Sequence, residues 1–331
     1  LLAYVSDLLS YYTDKRFNEL FLDGVTERVS AYRLAKTLGY KPPGVKASST
    51  LVDISISVPA IATGPDPQYL PILRPGVRLE GAGETFETVG QTDFSSDFSE
   101  SGVANKILEP IFDGNQNITS YRITKRELCV AGSTSLQKTV ITEENSVTQF
   151  FELTLPDSNV LEILDIIVKT GTNIIETPTY TEFKDFNLKY YEVEHLADNK
   201  VFLEDTGLSP VNAFRSGTWT EVNRRFTKEF LSDGRCKITF GGGTPNVDAY
   251  NEYLSGLAVT NSGEINYKKV FDNTSLGEKL PPSSTLYIKY RAGGGDSSNI
   301  GQRAINRVNN VDAVIYGVDA ALTDAVLSSI K

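Results

Sequence analysis

Leu286-Tyr-Ile-Lys-Tyr-Arg-Ala-Gly-Gly-Gly-Asp-Ser-Ser-Asn-Ile300 carries an alternating apolar and polar run straight into three consecutive glycines. A polar turn, Asn299 and an apolar residue follow. Glycine lets the backbone turn where a Cβ would clash. Asparagine can bond its own backbone and enter the left-handed region. The spelling predicts a strand over Leu286–Arg291 that ends in a loop built on Gly293, Gly294 and Gly295.

Towards the N-terminus the period is helical. Leu1, Val5, Leu8, Leu9, Tyr12, Phe17, Leu20 and Phe21 recur at steps of about three and four. Asp23-Gly24 interrupts, and Thr26 reads as the N-cap of a second helix whose apolar face is Val29, Tyr32, Ala35 and Leu38. Gly39 and then Pro42-Pro43 stop it. Two readings stay open. The pair is a hairpin packed on its own domain, or it is a surface that bundles with neighbouring subunits, because Tyr11, Tyr12 and Phe17 leave more than one face sticky.

From Leu51 the period becomes two, with Val52, Ile54, Ile56 and Val58 on one face. Short strands are expected at Pro75–Leu79 and Thr85–Val89 across Gly81-Ala-Gly83, and mostly strands from Tyr121 to Gly263. Among these are Glu127–Ala131, Ile163–Lys169, Leu188–Val193, Val201–Leu203 and Cys236–Phe240. Helices are expected at Val247–Leu257, Ala304–Val308 and Val318–Ile330. Helices, strands, then helices, without regular βα alternation, predict an α+β, β-rich, largely antiparallel architecture.

At 331 residues and 36.3 kDa the chain is long enough for two or three domains. A net charge of −10 argues against a nucleic-acid surface and gives no attraction to anionic lipid. No apolar run reaches membrane-spanning length and no signal peptide is visible, so no membrane insertion is expected. Cys129 and Cys236 form no CxxC; one long-range disulfide or two buried thiols are open, and a cytosol-made protein favours thiols. Methionine is absent and both ends fall inside helical patterns, as expected of the middle of a longer protein or of a processed precursor.

Catalytic patterns find little to stand on. A triad could use only His195, which sits in Glu192-Val-Glu-His-Leu196 without a Gly-x-Ser-x-Gly elbow. Gly241-Gly-Gly-Thr-Pro-Asn246 follows a strand but lacks the Gly-Lys-Ser/Thr of a phosphate loop. Asp296, next to Gly293–Gly295, would repel phosphate. Carboxylates are too plentiful for any pair to point to glycan hydrolysis. The expectation is no catalytic, cofactor or metal site.

Several segments, in order, resemble the Baseplate J-like family, the wedge subunits of phage contractile-tail baseplates. Leu1-Leu-Ala-Tyr-Val-Ser-Asp-Leu-Leu-Ser-Tyr-Tyr-Thr-Asp-Lys15 is similar to its early helix, and Leu34-Ala-Lys-Thr-Leu-Gly-Tyr-Lys-Pro42 to the helix end that follows. Pro75-Gly76 and Phe86-Glu-Thr88 resemble a turn and strand of its first β domain. Asp233 through Gly241, Gly242 and Gly243 resembles its Asp-Gly…Phe-Gly-Asp-Gly hairpin. Arg291, Gly293, Gly294, Gly295 and Asn299 resemble its Tyr-Arg-x-Gly-Gly-Gly-x-x-Gly-Asn-Val junction. Two departures stand out: Gly242 replaces the Asp of the hairpin, and Ser298 replaces the Gly before Asn.

The resemblance implies a structural virion protein, assembled in the host cytoplasm into the tail baseplate. It would pair with other copies of itself as a dimer within a ring, and with wedge and hub proteins, around a central hub. It would rearrange to trigger sheath contraction, without enzymatic activity. The layout it implies is a helical segment over 1–45 and a first β domain over 46–119 with 283–310. An inserted β domain over 120–282 and the helical start of a C-terminal region over 311–331 complete it. The strand Leu286–Arg291 would pair back onto the sheet of Val52–Val58. Val5, Leu9, Tyr12 and Phe17 would face the inter-subunit bundle. A bacterial contractile injection system of the type VI kind uses related wedges and is the alternative owner. A carbohydrate-binding tail component is a further one, with Trp219 as its only tryptophan.

Overall fold

A computed structural model describes residues 2–99, 102–143, 148–171, 177–204, 217–243 and 276–331. The protein is α+β and β-rich, with helices at its N- and C-terminal ends and mainly antiparallel sheets. It forms two compact units. The first comprises Leu1–Val45, Leu136–Val201 and Glu221–Lys289; the second comprises Lys46–Ser135, Phe202–Thr220 and Tyr290–Lys331.

The second unit is built on β1 (Ser49–Ile61), whose alternation buries Ile54, Ile56 and Val58. It pairs antiparallel with β8 (Ile118–Ala131) in one unbroken register, from Ser49 opposite Val130 to Pro59 opposite Ser120. Tyr121–Ala131, expected in the inserted segment, therefore lies beside β1 in the first sheet. The strands β4 (Arg78–Gly81) and β5 (Glu84–Thr88) form a hairpin over Ala82 and Gly83, both with positive φ. The sheet also takes β2 (Gly64–Pro65), β7 (Lys106–Phe112) and β18 (Ile305–Asn310). Its core joins Ile54, Ile56, Leu79, Phe86 and Ile123 to Val326 and Ile330 of the C-terminal helix Ala320–Ser328 and its end. Asp319 caps that helix, its carboxylate accepting from the amides of Ala321 and Leu322.

Residues 304–308 were expected to be helical and are not. Ile305 and Val308 both pack on the core, and their three-residue spacing imitates a helix. The spacing comes instead from β-bulges in the β18–β4 ladder, which turn both side chains to one face. Gly81 permits the approach; a Cβ there would lie 2.3 Å from the Ala304 carbonyl oxygen.

In the first unit the sheet order is β10 (Glu152–Thr154), β16 (Cys236–Phe240), β15 (Arg225–Phe230), β12 (Lys189–Glu192), β11 (Val160–Thr170), β17 (Ser284–Ala292) and β9 (Ser133–Ile141). Two of the five crossings of the chain between the units fall within β9 and within β17. The β12–β15 pair is parallel, with Tyr191 opposite Arg225. The strand expected at Leu286–Arg291 is present as β17. Its expected partner is wrong: it lies between β11 and β9, not in the sheet of Val52–Val58. Every residue of β17 except Lys289 is buried, and its place between β11 and β9 satisfies the backbone groups along both of its edges. Tyr190 meets Phe240 edge to face at 5.4 Å in this core. Cys129 and Cys236 are free, and burial pushes both thiols up to about 12.

The N-terminal segment folds as α1 (Leu2–Asn18) and α2 (Arg28–Thr37). Thr26 is not the N-cap; that position is Glu27, which makes no side-chain cap bond. Glu19 caps the helix start instead, its carboxylate accepting from the Thr26 hydroxyl and from the amides of Thr26 and Glu27. Those bonds, the Thr26 hydroxyl first, hold the Glu19 carboxyl down to about 2 from its ordinary 4.5. The helix expected at Val247–Leu257 lies outside the described residues.

Because the folded state depresses Glu19, its contribution is present above the ordinary carboxylate range and fades as pH falls from about 4.5 towards about 2. Glu19→Gln should flatten the loss of far-ultraviolet helix signal over that window, and an unchanged acid titration would contradict the cap.

Candidate interaction surfaces

The residues carrying the sequence resemblance fall into two places. In the second unit they converge on one carboxylate. Glu87, 1 % exposed, sits on β5 between Phe86 and Thr88. It pairs with Arg78 at 3.2 Å and with Arg291 at 3.6 Å. It accepts the Thr134 amide at 2.8 Å and the Thr134 hydroxyl. The neighbouring Thr88 hydroxyl accepts the amides of Gly76, at 3.2 Å, and Val77, at 3.1 Å, and so fixes the Pro75-Gly76 turn. A buried charge of this kind is tolerable only when paired and hydrogen-bonded.

Beyond Arg291 the chain bends through Gly293, Gly294 and Gly295, with φ of 105, 77 and 94°. A methyl on Gly293 would meet only the Gly132 Cα at 3.5 Å, so the backbone angle, not space, calls for glycine. The loop closes on itself: the Ser298 hydroxyl donates to the Gly295 carbonyl at 2.6 Å, and the Ser48 hydroxyl reaches Asn299 Oδ1 at 3.0 Å.

Gly241, Gly242 and Gly243 belong to the first unit and serve close packing. A Cβ on Gly241 would lie 2.4 Å from the Gly277 carbonyl carbon. The amides of Gly242 and Gly243 already donate to the carbonyls of Leu276 and Gly277, at 3.2 and 2.8 Å. Amides committed in this way do not cradle a phosphate. His195 lies exposed in the turn after β12, its amide bonded to Asp198. Among the described residues no three His, Cys, Asp or Glu side chains gather as a metal site.

The expected bundle positions Val5, Leu9, Tyr12 and Phe17 are all exposed, Leu9 at 63 %. The adjoining row Tyr4, Leu8 and Tyr11, in which Leu8 and Tyr11 already stood out in the sequence, is exposed as well and repeats the same i, i+4, i+7 step. Phe17 and Phe21 stack edge to face at 5.2 Å in the open. In α2 no residue is fully buried. Within the same unit a groove of about 1210 Å³ runs between the α2 end and the sheet, lined by Tyr32, Tyr40, Pro43, Val193 and Phe230. In the second unit Trp219, 69 % exposed, meets Phe202 at 5.6 Å on the ribbon of β13 (Lys200–Glu204) and β14 (Gly217–Glu221).

No protein-family model matches this sequence, and no curated protein aligns with it.

Glu87→Ala strips Arg78 and Arg291 of their shared carboxylate and should cost roughly 3–5 kcal/mol in urea unfolding. Gly293→Ala, which forces an alanine to positive φ, should cost about 1 kcal/mol or more. A wild-type midpoint in either variant would show that the junction does not depend on these groups.

Proposed function

We propose that this chain is a structural subunit that assembles through its N-terminal helices, and that the assembly is the baseplate of a contractile phage tail. The observation that carries this reading is the uncovered apolar surface of α1. Tyr4, Val5, Leu8, Leu9, Tyr11, Tyr12 and Phe17 all stand exposed on one helix. Burying a side chain of this size is worth about 1.5–3 kcal/mol. Several together offset the roughly 4–15 kcal/mol that association costs. A contiguous patch of this extent on a soluble protein marks an interaction site.

The family resemblance supplies the identity of the machine. Its support is that Gly76, the Phe86–Thr88 strand and Arg291, distant in sequence, meet through Glu87 and Thr88 as one structural joint. In this reading several copies pair as dimers within a ring around a hub, and contacts that hold before contraction give way to others during it. The protein works in the virion tail, with wedge and hub proteins as partners and without a cofactor or enzymatic step. A bacterial contractile injection system would use the same surfaces, and proteomics of purified virions separates the two owners.

The open Trp219–Phe202 pair favours one second reading, a carbohydrate-binding tail component, since aromatic faces beside polar groups suit sugar rings. Glycan binding lost in Trp219→Ala would support it.

Leu9→Asp places a charge in the middle of the proposed interface and should weaken self-association roughly 30-fold or more, about 2 kcal/mol. Measured on dilute monomer, its melting temperature should match wild type within about a degree or two, because Leu9 is exposed in the single chain. Sedimentation velocity at several concentrations reads the first effect. Assembly identical to wild type would contradict the proposal.

A further inference from the structure

Almost all of α1 stands in the open. Of residues 3–18 only Lys15 is less than exposed. A lone helix with one alanine and three tyrosines is marginal in water, so α1 gains from a wall to lie against. At about 100° per residue, Tyr11, Tyr4, Leu8, Tyr12, Val5 and Leu9 follow one another around nearly half of it. A plain two-helix seam covers a narrower stripe. Two rows side by side call for a trough with walls on both sides.

The first unit contains such a trough. Val29, Tyr32, Arg33 and Lys36 share one face of α2 and line the groove of about 1210 Å³ on that side. The sheet side is lined by the ends of β12 and β15 and the turns after them, Glu194 and Phe230 included. The groove is preformed. Lys41 Nζ donates to the Glu194 carbonyl at 2.6 Å, and a Cβ on Gly44 would lie 2.6 Å from the Phe230 ring. At 1.5 Å per residue the α2 wall runs for about 10 Å, and Tyr4 to Tyr12 for about 12 Å. That length of helix, 10–12 Å wide, fills roughly 900–1400 Å³. The groove is of this size.

The spare charges match too. On α1, Asp7 and Asp14 lie together just past Tyr11, and Arg16 lies at the far side of the apolar arc, between Val5 and Leu9. None of the three has an ion partner among the described residues. On the α2 wall Arg33 is likewise unpaired, whereas Lys36 is spent on Glu229 at 3.0 Å. On the sheet side the Glu194 carboxylate is unpaired, whereas Glu192 and Asp233 are spent on Lys228 and Arg235. A helix laid in the groove with its acidic flank towards α2 brings Asp7 or Asp14 to Arg33, and Arg16 to Glu194. Rim charges of this kind set orientation, while apolar contact carries the affinity.

We propose that this groove is the seat of α1 from a second copy of the chain. The inference rests on assembly through the N-terminal helices and names the surface that they meet. The chain's own α1 does not fill the groove: it is exposed along its length, and the Lys15–Glu27 pair and the Glu19 cap fix its turn into α2. A helix-into-groove contact is heterologous, so two copies close it by exchanging helices. The six apolar side chains, 42–71 % exposed, offer on the order of 500 Å² per helix. With the groove walls counted, an exchange buries about 2,000 Å², enough for a specific interface.

Cross-linking between copies tests this. A Leu9→Cys chain and a Ser232→Cys chain of different mass are mixed where the protein self-associates and treated with a short bismaleimide; Ser232 lines the groove. The proposal expects the mixed product to exceed either like pair about tenfold. It should fall about tenfold with Arg33→Asp in the Ser232→Cys chain, and recover with Asp7→Arg and Asp14→Arg in the other. A dominant product joining two Leu9→Cys chains would overturn the inference and leave assembly through the helices standing. So would self-association in sedimentation without the mixed product, a mixed product indifferent to the charge swaps, or a link formed at high dilution within one chain carrying both substitutions. A protein that stays monomeric at every concentration would overturn the inference and the reading beneath it.

Discussion

The second unit is organised around a carboxylate that has no water to fall back on. Burying Glu87 would cost several kcal/mol if its charge were left alone, so its partners have to stay in place. Those partners come from β4, from the beginning of β9 and from the end of β17. Two of the chain's five crossings between its units lie only a few residues beyond Thr134 and before Arg291. One side chain thus fixes both of these passages at their ends in the second unit. The three left-handed glycines then let the chain turn away from Arg291 without loosening that grip.

Where local pattern and burial agree, the sequence was a good guide. The alternation at Val52–Val58 marks β1, and the run from Leu286 to Arg291 marks β17. Pairing was not legible. Tyr287, Ile288 and Tyr290 are buried alike, and a strand covered on both faces reads much like one covered on one face when polar residues such as Lys289 interrupt it. The helical spacing of Ile305 and Val308 came from bulges, which leave no separate mark in composition. Thr26 had the right chemistry for a cap, but Glu19, seven residues earlier in sequence, was better placed by the turn after α1.

The interaction surfaces show the same division. Exposure of Val5, Leu9, Tyr12 and Phe17 follows from a helix with more apolar surface than one groove can cover, and the second sticky face that Tyr11 announced is the row through Leu8. Glu87 could not. It stands between Phe86 and Thr88 with nothing in its neighbours to announce burial, and its partners are scattered along the chain. The two glycine clusters looked alike on paper. One turns the backbone through positive φ, while the other mainly removes side chains where backbones touch. Both are devices of shape, as the structural role we propose requires.

The central claim is that α1 is covered by other protein when the chain assembles. Cysteine placed at position 9 reports on it directly, because Cys129 and Cys236 are buried with thiols raised to about 12 and stay silent. In Leu9→Cys, maleimide labelling should be rapid in dilute monomer and slow sharply as larger species form. Labelling that stays equally rapid in the assembled protein would contradict the account.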